Sequence, residues 1–225
     1  MKRITKSREP SEFAAYRRKQ GATYSNLPED GKKALRQSLV KEQGGLCCYC
    51  MCRIPEVGGK YPGMKIEHFK SQSKYPSEQL VYKNLFGACW GNVQGRLTNG
   101  SQSQTCDTFR SSNNEDITSF SLLTTNLEAE IRYLRDGTMQ SKRADLDHEL
   151  NKILNLNDQS LRSRREGLRD AISNRLRQLN TKGKVTEKVI RTLIESYKSR
   201  DATGNFKEFY PLAVYYLENK LRQYK

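Results

Sequence analysis

The pattern of apolar and polar positions divides the chain into two helical flanks and an irregular middle. Residues 11–19 predict a short helix. A clearer helix begins at Pro28 and should end at Gly44–Gly45, since glycine favours helix C-termini. The apolar stripe of this second helix consists of Leu35, Leu39 and Val40.

Beyond residue 120, apolar residues recur at spacings of three and four, which is the period of an amphipathic helix. Four such stripes predict a helical C-terminal region. They begin at Leu146, Leu161, Val185 and Phe209. Gly183 and Gly204 should mark turns between the helices.

Residues 46–119 are instead rich in Cys, Gly, Ser, Asn and Gln, with short apolar runs at 64–69 and 84–88. These runs predict two strands. Residues 90–105 show no periodicity and are interpreted as an inserted loop. We therefore predict an α+β protein with an N-terminal basic helical region (1–45), a core (46–119) and a C-terminal helical region (120–225).

The charge is strongly positive but unevenly placed. Forty Lys and Arg against 25 Asp and Glu give +15. Residues 1–46 carry +6, residues 47–159 are neutral and residues 160–225 carry +9. A charge of this size favours a polyanionic partner, with nucleic acid as the first candidate. The flanks would guide such a polyanion towards a site or meet an acidic partner surface.

Mean hydropathy is −0.85, and no run approaches the roughly 18 apolar residues of a membrane span. The N-terminus has no apolar segment typical of a signal peptide. We therefore expect a cytoplasmic protein without membrane association. In that compartment six cysteines, all between Cys47 and Cys106, indicate a metal site rather than disulfides.

Cys47 and Cys50 have the two-residue separation typical of zinc ligands. Two more ligands are needed, and Cys89 and Cys106 are the cysteines outside the first cluster. The two further ligands have five candidates, which are Cys48, Cys52, Cys89, Cys106 and His68. The simplest set is Cys47, Cys50, Cys89 and Cys106, although a second Cys-x-x-Cys would have been expected in place of the 17-residue separation. Cys48 and Cys52 are interpreted as ordinary thiols.

A carboxylate and a histidine stand side by side at Glu67 and His68 in the first predicted strand. Neighbouring side chains on an ideal strand face opposite ways, so both can serve one site only where the strand ends or bends. Asn84 follows 16 residues later, and Asp107 comes directly after Cys106. A carboxylate held beside a zinc ligand suits a second, hard cation.

The order Cys-x-x-Cys, Glu-His, Asn-Leu, Cys and Cys-Asp-x-x-Arg resembles the HNH endonucleases, whose ββα-metal unit is often braced by a four-cysteine zinc. The opening MKRITKSREPSEF, Glu42-Gln43 and the segment KILNLN at 152–157 look like one subfamily. It comprises the HNH nuclease subunits of Septu-type anti-phage defence systems, including those attached to retrons. Those proteins work with an ABC/SMC-like ATPase partner.

The resemblance implies a role for each motif residue. Glu67 and Asp107 would hold catalytic Mg²⁺ or Mn²⁺, and His68 would take a proton from water. Asn84 would fix the loop that orients His68. The four cysteines would hold a structural Zn²⁺, and Lys70 and Arg110 are candidate phosphate contacts. The implied function is hydrolysis of nucleic-acid phosphodiester bonds, with DNA favoured over RNA.

Three departures from the family pattern stand in this sequence. Arg110 replaces a common Lys, the 90–105 loop opens the second cysteine pair, and Glu67 replaces a common Asp. One alternative is a non-catalytic zinc module that binds nucleic acid or bridges an ATPase. A weaker one is a basic helical adaptor with incidental cysteines. A pure zinc module would not require the set of Glu67-His68 and Asp107. The ordered placement of His68, Asn84 and Asp107 argues against the adaptor.

Overall fold

The computed structural model describes residues 1–55, 57–58, 61–91, 104–181 and 185–224. Within those residues the fold is mixed α/β, with eight α-helices and three two-stranded antiparallel sheets. The predicted combination of helices and a small β region is confirmed at this level. Most of the predicted inserted loop, residues 92–103, lies outside the described residues, as does Gly183.

Two helices form the N-terminal region, α1 (Ser11–Arg17) and α2 (Glu29–Gln43). As predicted, α2 begins after Pro28 and ends at Gly44, whose φ of 61° lies in the left-handed region. A Cβ on Gly44 would lie 2.3 Å from the ring of Phe206. Glycine is therefore required at position 44 for two reasons, the left-handed backbone and the C-terminal segment that packs against it.

The middle of the chain contains a ββα unit. Its elements are β3 (Lys65–His68), β4 (Leu85–Ala88) and α3 (Cys106–Asn113), preceded by a small hairpin of β1 (Val57–Gly58) and β2 (Tyr61–Pro62). β3 and β4 pair antiparallel, with His68 opposite Leu85. All four residues of β4 are buried because α2 covers it. The two strands fall where the apolar runs predicted them.

The region after residue 120 is not entirely helical, and that prediction is wrong at one point. After the short helix α4 (Leu127–Glu130), β5 (Ile131–Tyr133) and β6 (Met139–Ser141) form an antiparallel hairpin. Its turn contains Gly137, with φ of 77°, where a Cβ would lie 2.2 Å from the carbonyl oxygen of Arg162. Asp-Gly is a strong hairpin signal, and the long leucine stripes that follow obscure it.

The remaining helices follow the predicted stripes. They are α5 (Ala144–His148), which continues as a π-helical turn over Glu149–Ile153, α6 (Gln159–Asn180), α7 (Glu187–Lys198) and α8 (Tyr210–Leu221). Asp158 begins α6 by accepting a hydrogen bond from the amide of Ser160. One hydrophobic cluster includes residues of all three predicted regions. None of the helices within the described residues is both long and apolar enough to cross a membrane.

Candidate functional site

Four cysteine side chains meet in the interior of the ββα region. Sγ of Cys89 lies 3.7 Å from Sγ of both Cys50 and Cys106, and Sγ of Cys47 lies 4.0 Å from that of Cys106. All four sulfurs lie within 4.8 Å of one another. Sulfurs bound tetrahedrally at about 2.3 Å from zinc would be separated by about 3.8 Å. We call these four residues the cysteine cluster, and its dimensions fit a metal ion such as zinc.

The local backbone explains how the first two ligands come together. The amide of Cys47 donates to the carbonyl of Cys52 at 2.9 Å, which closes a tight turn around Cys50. Met51 completes that turn with φ of 65°. The amide of Cys48 donates to the carbonyl of Gly87 at 3.0 Å, so the turn is fastened to β4, which leads directly to Cys89.

The protonation of the cluster also suits a cation. Burial opposes charge on Cys47, yet hydrogen bonds from Cys106 and its other neighbours hold the pKa of Cys47 well below its usual range. The pKa of Cys106 is raised well above its usual range, first by its hydrogen bond with Cys47. These two pKa shifts favour a thiolate at Cys47 and oppose ionisation of Cys106. A metal ion relieves that opposition by binding thiolates.

Cys48 and Cys52 do not belong to the cluster. Both side chains are buried, and Sγ of Cys52 accepts a hydrogen bond from Nη1 of Arg164 at 3.1 Å. Within the described residues, the cysteine cluster is the single group of three or more Cys, His, Asp or Glu that is close enough to hold a metal. Any second metal site in that part of the chain would draw fewer than three ligands from these four residue types.

Beside the cysteine cluster, the ββα unit forms a cavity of about 630 Å³. Glu67 and His68 at the end of β3 both line it, and so does Asp107 in the first turn of α3. β3 ends at His68. This agrees with the prediction that the neighbouring residues Glu67 and His68 can serve one site only where the strand ends or bends. Because Asp107 follows Cys106, the cysteine cluster fixes the end of the helix that supplies this carboxylate.

Glu67 is buried and held by two partners. Its Oε1 accepts hydrogen bonds from the hydroxyl of Tyr49 and from Nη1 of Arg110, both at 2.6 Å. Burial raises the pKa of Glu67 well above its usual range, and the nearby Asp107 raises it further, while Arg110 opposes both effects. The two carboxylates are thus close enough to compete for negative charge.

Asp107 has the opposite tendency. Burial works to raise its pKa, but hydrogen bonding with Glu67 and the charge of Lys65 hold the pKa below its usual range. Lys65 forms an ion pair with Asp107, and the hydroxyl of Ser111 donates to Oδ1 at 2.9 Å. Glu67 and Asp107 (the carboxylate pair) therefore differ, because the neutral form is favoured at Glu67 and the ionised form at Asp107. A divalent cation bound between them would favour ionisation of both.

His68 is oriented from two sides. Its Nε2 lies 3.1 Å from the carbonyl oxygen of Gln79, and the ring of Tyr24 meets it edge-on, with centroids 4.4 Å apart. With Nε2 donating to that carbonyl, Nδ1 is the basic nitrogen. Burial lowers the pKa of His68, against the smaller raising effects of Gln79 and Asp107, so the neutral ring is favoured at neutral pH.

Asn84 fastens the loop that holds this carbonyl. Its Oδ1 accepts from the amide of Lys70 at 2.7 Å, and its Nδ2 donates to the carbonyls of Lys70 and Glu78 at 3.0 and 3.2 Å. Glu78 adjoins Gln79, the partner of His68. Asn84 is itself buried, so its geometry favours a positioning role for this residue.

The two candidate phosphate contacts differ in exposure. Lys70 is half-exposed, and its ammonium pairs with Glu78 at 3.0 Å. Arg110 is buried, and besides Glu67 it donates to the carbonyls of Phe69 and Glu115 at 2.7 and 3.0 Å. These bonds occupy its guanidinium, so its geometry favours support of Glu67 over contact with phosphate.

Three neighbours of the carboxylate pair were not anticipated from the sequence: Tyr49, Lys65 and Ser111. Lys65 had a usable signal, since it lies two residues before Glu67 on the same strand and therefore on the same face. Ser111 lies four residues after Asp107 on one helix, a spacing that brings side chains together. The sequence matches no model of a known protein family and no curated protein.

Proposed function

We propose that this chain is a metal-dependent nuclease of the HNH type that hydrolyses phosphodiester bonds in nucleic acid. The observation that supports it best is the meeting of Glu67, His68 and Asp107 at one cavity, on a ββα unit fastened by the cysteine cluster. A zinc module without catalysis has no need for a neutral histidine beside paired carboxylates.

In this proposal each residue has a distinct task. Glu67 and Asp107 hold Mg²⁺ or Mn²⁺, which when bound supplies neutralising charge at the scissile phosphate and the leaving 3′-oxygen. Nδ1 of His68 takes a proton from the attacking water, and Nε2 keeps the ring oriented on Gln79. Asn84 positions that carbonyl, and the cysteine cluster holds structural zinc with no open coordination position.

The wider setting of the proposal rests on the resemblance to Septu-type and retron-associated HNH subunits. There the chain is the effector of an anti-phage system and is controlled by an ABC/SMC-like ATPase. DNA is the favoured substrate, and RNA cleavage would require no different residues at the cavity. Co-purification with the products of neighbouring genes, followed by assays on both polymers, tests this setting.

One observation favours the non-catalytic alternative. Both members of the carboxylate pair already have a cationic partner, Arg110 for Glu67 and Lys65 for Asp107. In a zinc module that only binds nucleic acid or bridges an ATPase, these ion pairs would be the final state. Cleavage that requires Mg²⁺ or Mn²⁺ separates the two functions.

The deciding experiment compares the two histidines of the chain. His68→Ala should lower divalent-dependent cleavage of plasmid DNA by about 10²-fold or more, because a positioned general base contributes that much. His148→Ala is the matched control, since His148 is exposed on α5 and does not line the cavity. Both variants should keep their zinc. A His68→Ala protein with full zinc and full activity contradicts the assignment.

A further inference from the structure

A second cavity, of about 440 Å³, lies far along the chain from the ββα unit, in the C-terminal region. Its walls are α6, α8 and the residues at the end of β5. Four cationic side chains, three tyrosines and two asparagines line it. They are Arg135, Arg169, Arg177 and Lys220, then Tyr133, Tyr215 and Tyr216, then Asn174 and Asn219. We call this cavity the C-terminal groove.

Three of the four positive charges of the groove have no carboxylate partner within the described residues, whereas Arg169 pairs with both Asp170 and Glu166. Asp170 is the one acidic residue in its lining, and it already pairs with Arg169. Within the described residues, Arg135, Arg177 and Lys220 form no ion pair with a carboxylate. Bringing cations together from three elements costs free energy that an anion would offset.

An unused hydrogen-bond donor lies in the same wall. Nε of Arg169 is buried and has no hydrogen-bond partner in the described part of the chain. A buried donor without an acceptor is costly, and such a group often indicates a missing ligand or water. A phosphate oxygen is a negatively charged hydrogen-bond acceptor, the kind with which a guanidinium forms its strongest hydrogen bonds.

The aromatic residues indicate what accompanies the anion. The rings of Tyr133 and Tyr215 are 5.7 Å apart in a tilted arrangement at 61°, which fixes Tyr215 against the core. Tyr216 lies on the same helix, with Nζ of Lys220 5.8 Å from its ring centroid. Tyrosine rings stack on nucleobases, and asparagine amides match the donors and acceptors of base edges.

We propose that the C-terminal groove binds a nucleotide, with its phosphate on Arg135, Arg169, Arg177 and Lys220 and its base against Tyr215 and Tyr216. An acidic peptide would satisfy the cations but would leave the tyrosines and asparagines without a role. The volume falls in the range of about 300–1,000 Å³ that is usual for small-ligand sites. The assignment does not depend on the nuclease proposal, because none of these residues lines the ββα cavity.

The same chemistry occurs in a free mononucleotide and in one unit of a nucleic-acid strand. The test therefore uses two probes on the purified full chain, AMP by calorimetry and a fluorescent single-stranded DNA 12-mer by anisotropy. Both are measured without added Mg²⁺ or Mn²⁺, so that cleavage does not enter. Binding of AMP identifies the free nucleotide as the source, and binding of the 12-mer alone identifies the strand.

Arg177→Ala should lower the affinity for the probe that binds by about tenfold, as expected for loss of one charged contact to phosphate. Tyr216→Leu, which keeps an apolar side chain, should weaken it by a similar factor of about ten through lost stacking. Arg175→Ala is the matched control, because Arg175 is exposed on the same helix and does not line the groove. Thermal unfolding of each variant should match the parent.

Three results would overturn the proposal. The first is that neither probe binds, and the second is that Arg177→Ala and Arg175→Ala weaken binding equally, since the effect would then be net charge. The third is that Arg177→Ala weakens binding of a poly-glutamate peptide but of neither nucleotide probe, which would make the groove a protein-docking site. The nuclease proposal is tested by divalent-dependent cleavage and this one by metal-free binding through the groove residues, so the failure of either proposal is distinguishable from the failure of the other.

Discussion

Nη1 of Arg110 lies 2.6 Å from Oε1 of Glu67, and the two side chains are 4% and 3% exposed. Removing one member of a buried ion pair leaves the other without compensation. We therefore expect Arg110→Met to lower the free energy of unfolding by about 3 kcal/mol, measured by urea denaturation. The double variant Glu67→Gln with Arg110→Met should lose less than the sum of the two single variants.

The conservative variant adds a sharper comparison. Arg110→Lys keeps the charge but cannot span Glu67, the carbonyl of Phe69 and the carbonyl of Glu115 together. Its stability should fall between those of the parent and Arg110→Met. A loss below about 1 kcal/mol for Arg110→Met, a size typical of exposed pairs, would mean that the pair does not support the site.

Metal content tests the cysteine cluster. The purified chain should contain one zinc per molecule by elemental analysis, and Cys106→Ser should contain close to none. Structural zinc contributes about 10–16 kcal/mol in small domains, so that variant or a strong chelator should unfold the ββα region. Cys52→Ser is the control, because Cys52 is buried nearby but lies outside the cluster. Loss of zinc in Cys52→Ser would contradict the ligand set.

The cysteine cluster could be predicted from the sequence because few residues of the chain can serve as zinc ligands. Once Cys47 and Cys50 are paired by spacing, Cys89 and Cys106 are the cysteines left elsewhere in the chain. The positions of Glu67 and His68 followed likewise, since an adjacent pair serves one cavity only at the end of a strand. These inferences depend on local spacing, which a sequence displays directly.

What the sequence could not supply depends on contacts between distant segments. Arg110 on α3 is buried while it contacts Glu67, 43 residues earlier, and the carbonyl of Phe69, 41 residues earlier. The β5–β6 hairpin has strands of three residues, too short to show alternation beside long leucine stripes. The C-terminal groove combines residues of α6, α8 and β5, and no spacing in the sequence predicts that they meet.

The role of Asn84 is separable from the folding of β4. Asn84→Asp keeps the acceptor for the amide of Lys70 but loses both donated hydrogen bonds, whereas Asn84→Ala loses all three. We expect Asn84→Ala to lose about 2–3 kcal/mol in unfolding free energy. Asn84→Asp should lose at least as much, because its second carboxylate oxygen is buried against two carbonyl oxygens. If Asn84 positions His68 through Gln79, divalent-dependent cleavage should fall in both variants at temperatures where both remain folded. Unchanged cleavage in Asn84→Ala would restrict this residue to a structural role.

Glu149 connects the C-terminal helices to the segment that follows the ββα unit. Its Oε1 accepts hydrogen bonds from the amides of Thr118 and Ser119 at 2.7 and 2.9 Å and from the hydroxyl of Thr118 at 3.1 Å. The hydroxyl of Ser119 donates to Oε2. Because Glu149 is buried, Glu149→Ala leaves two amides without a hydrogen-bond acceptor. It should lower the free energy of unfolding by about 3 kcal/mol.

Glu149→Gln is the matched variant, since its amide keeps one oxygen acceptor in the same place. It should cost roughly half as much as Glu149→Ala. Hydrogen exchange supplies the structural readout, with faster exchange expected at Thr118 and Ser119 in Glu149→Ala and little change in α8. Equal losses in both variants would show that the negative charge, rather than the geometry of one oxygen, stabilises this connection.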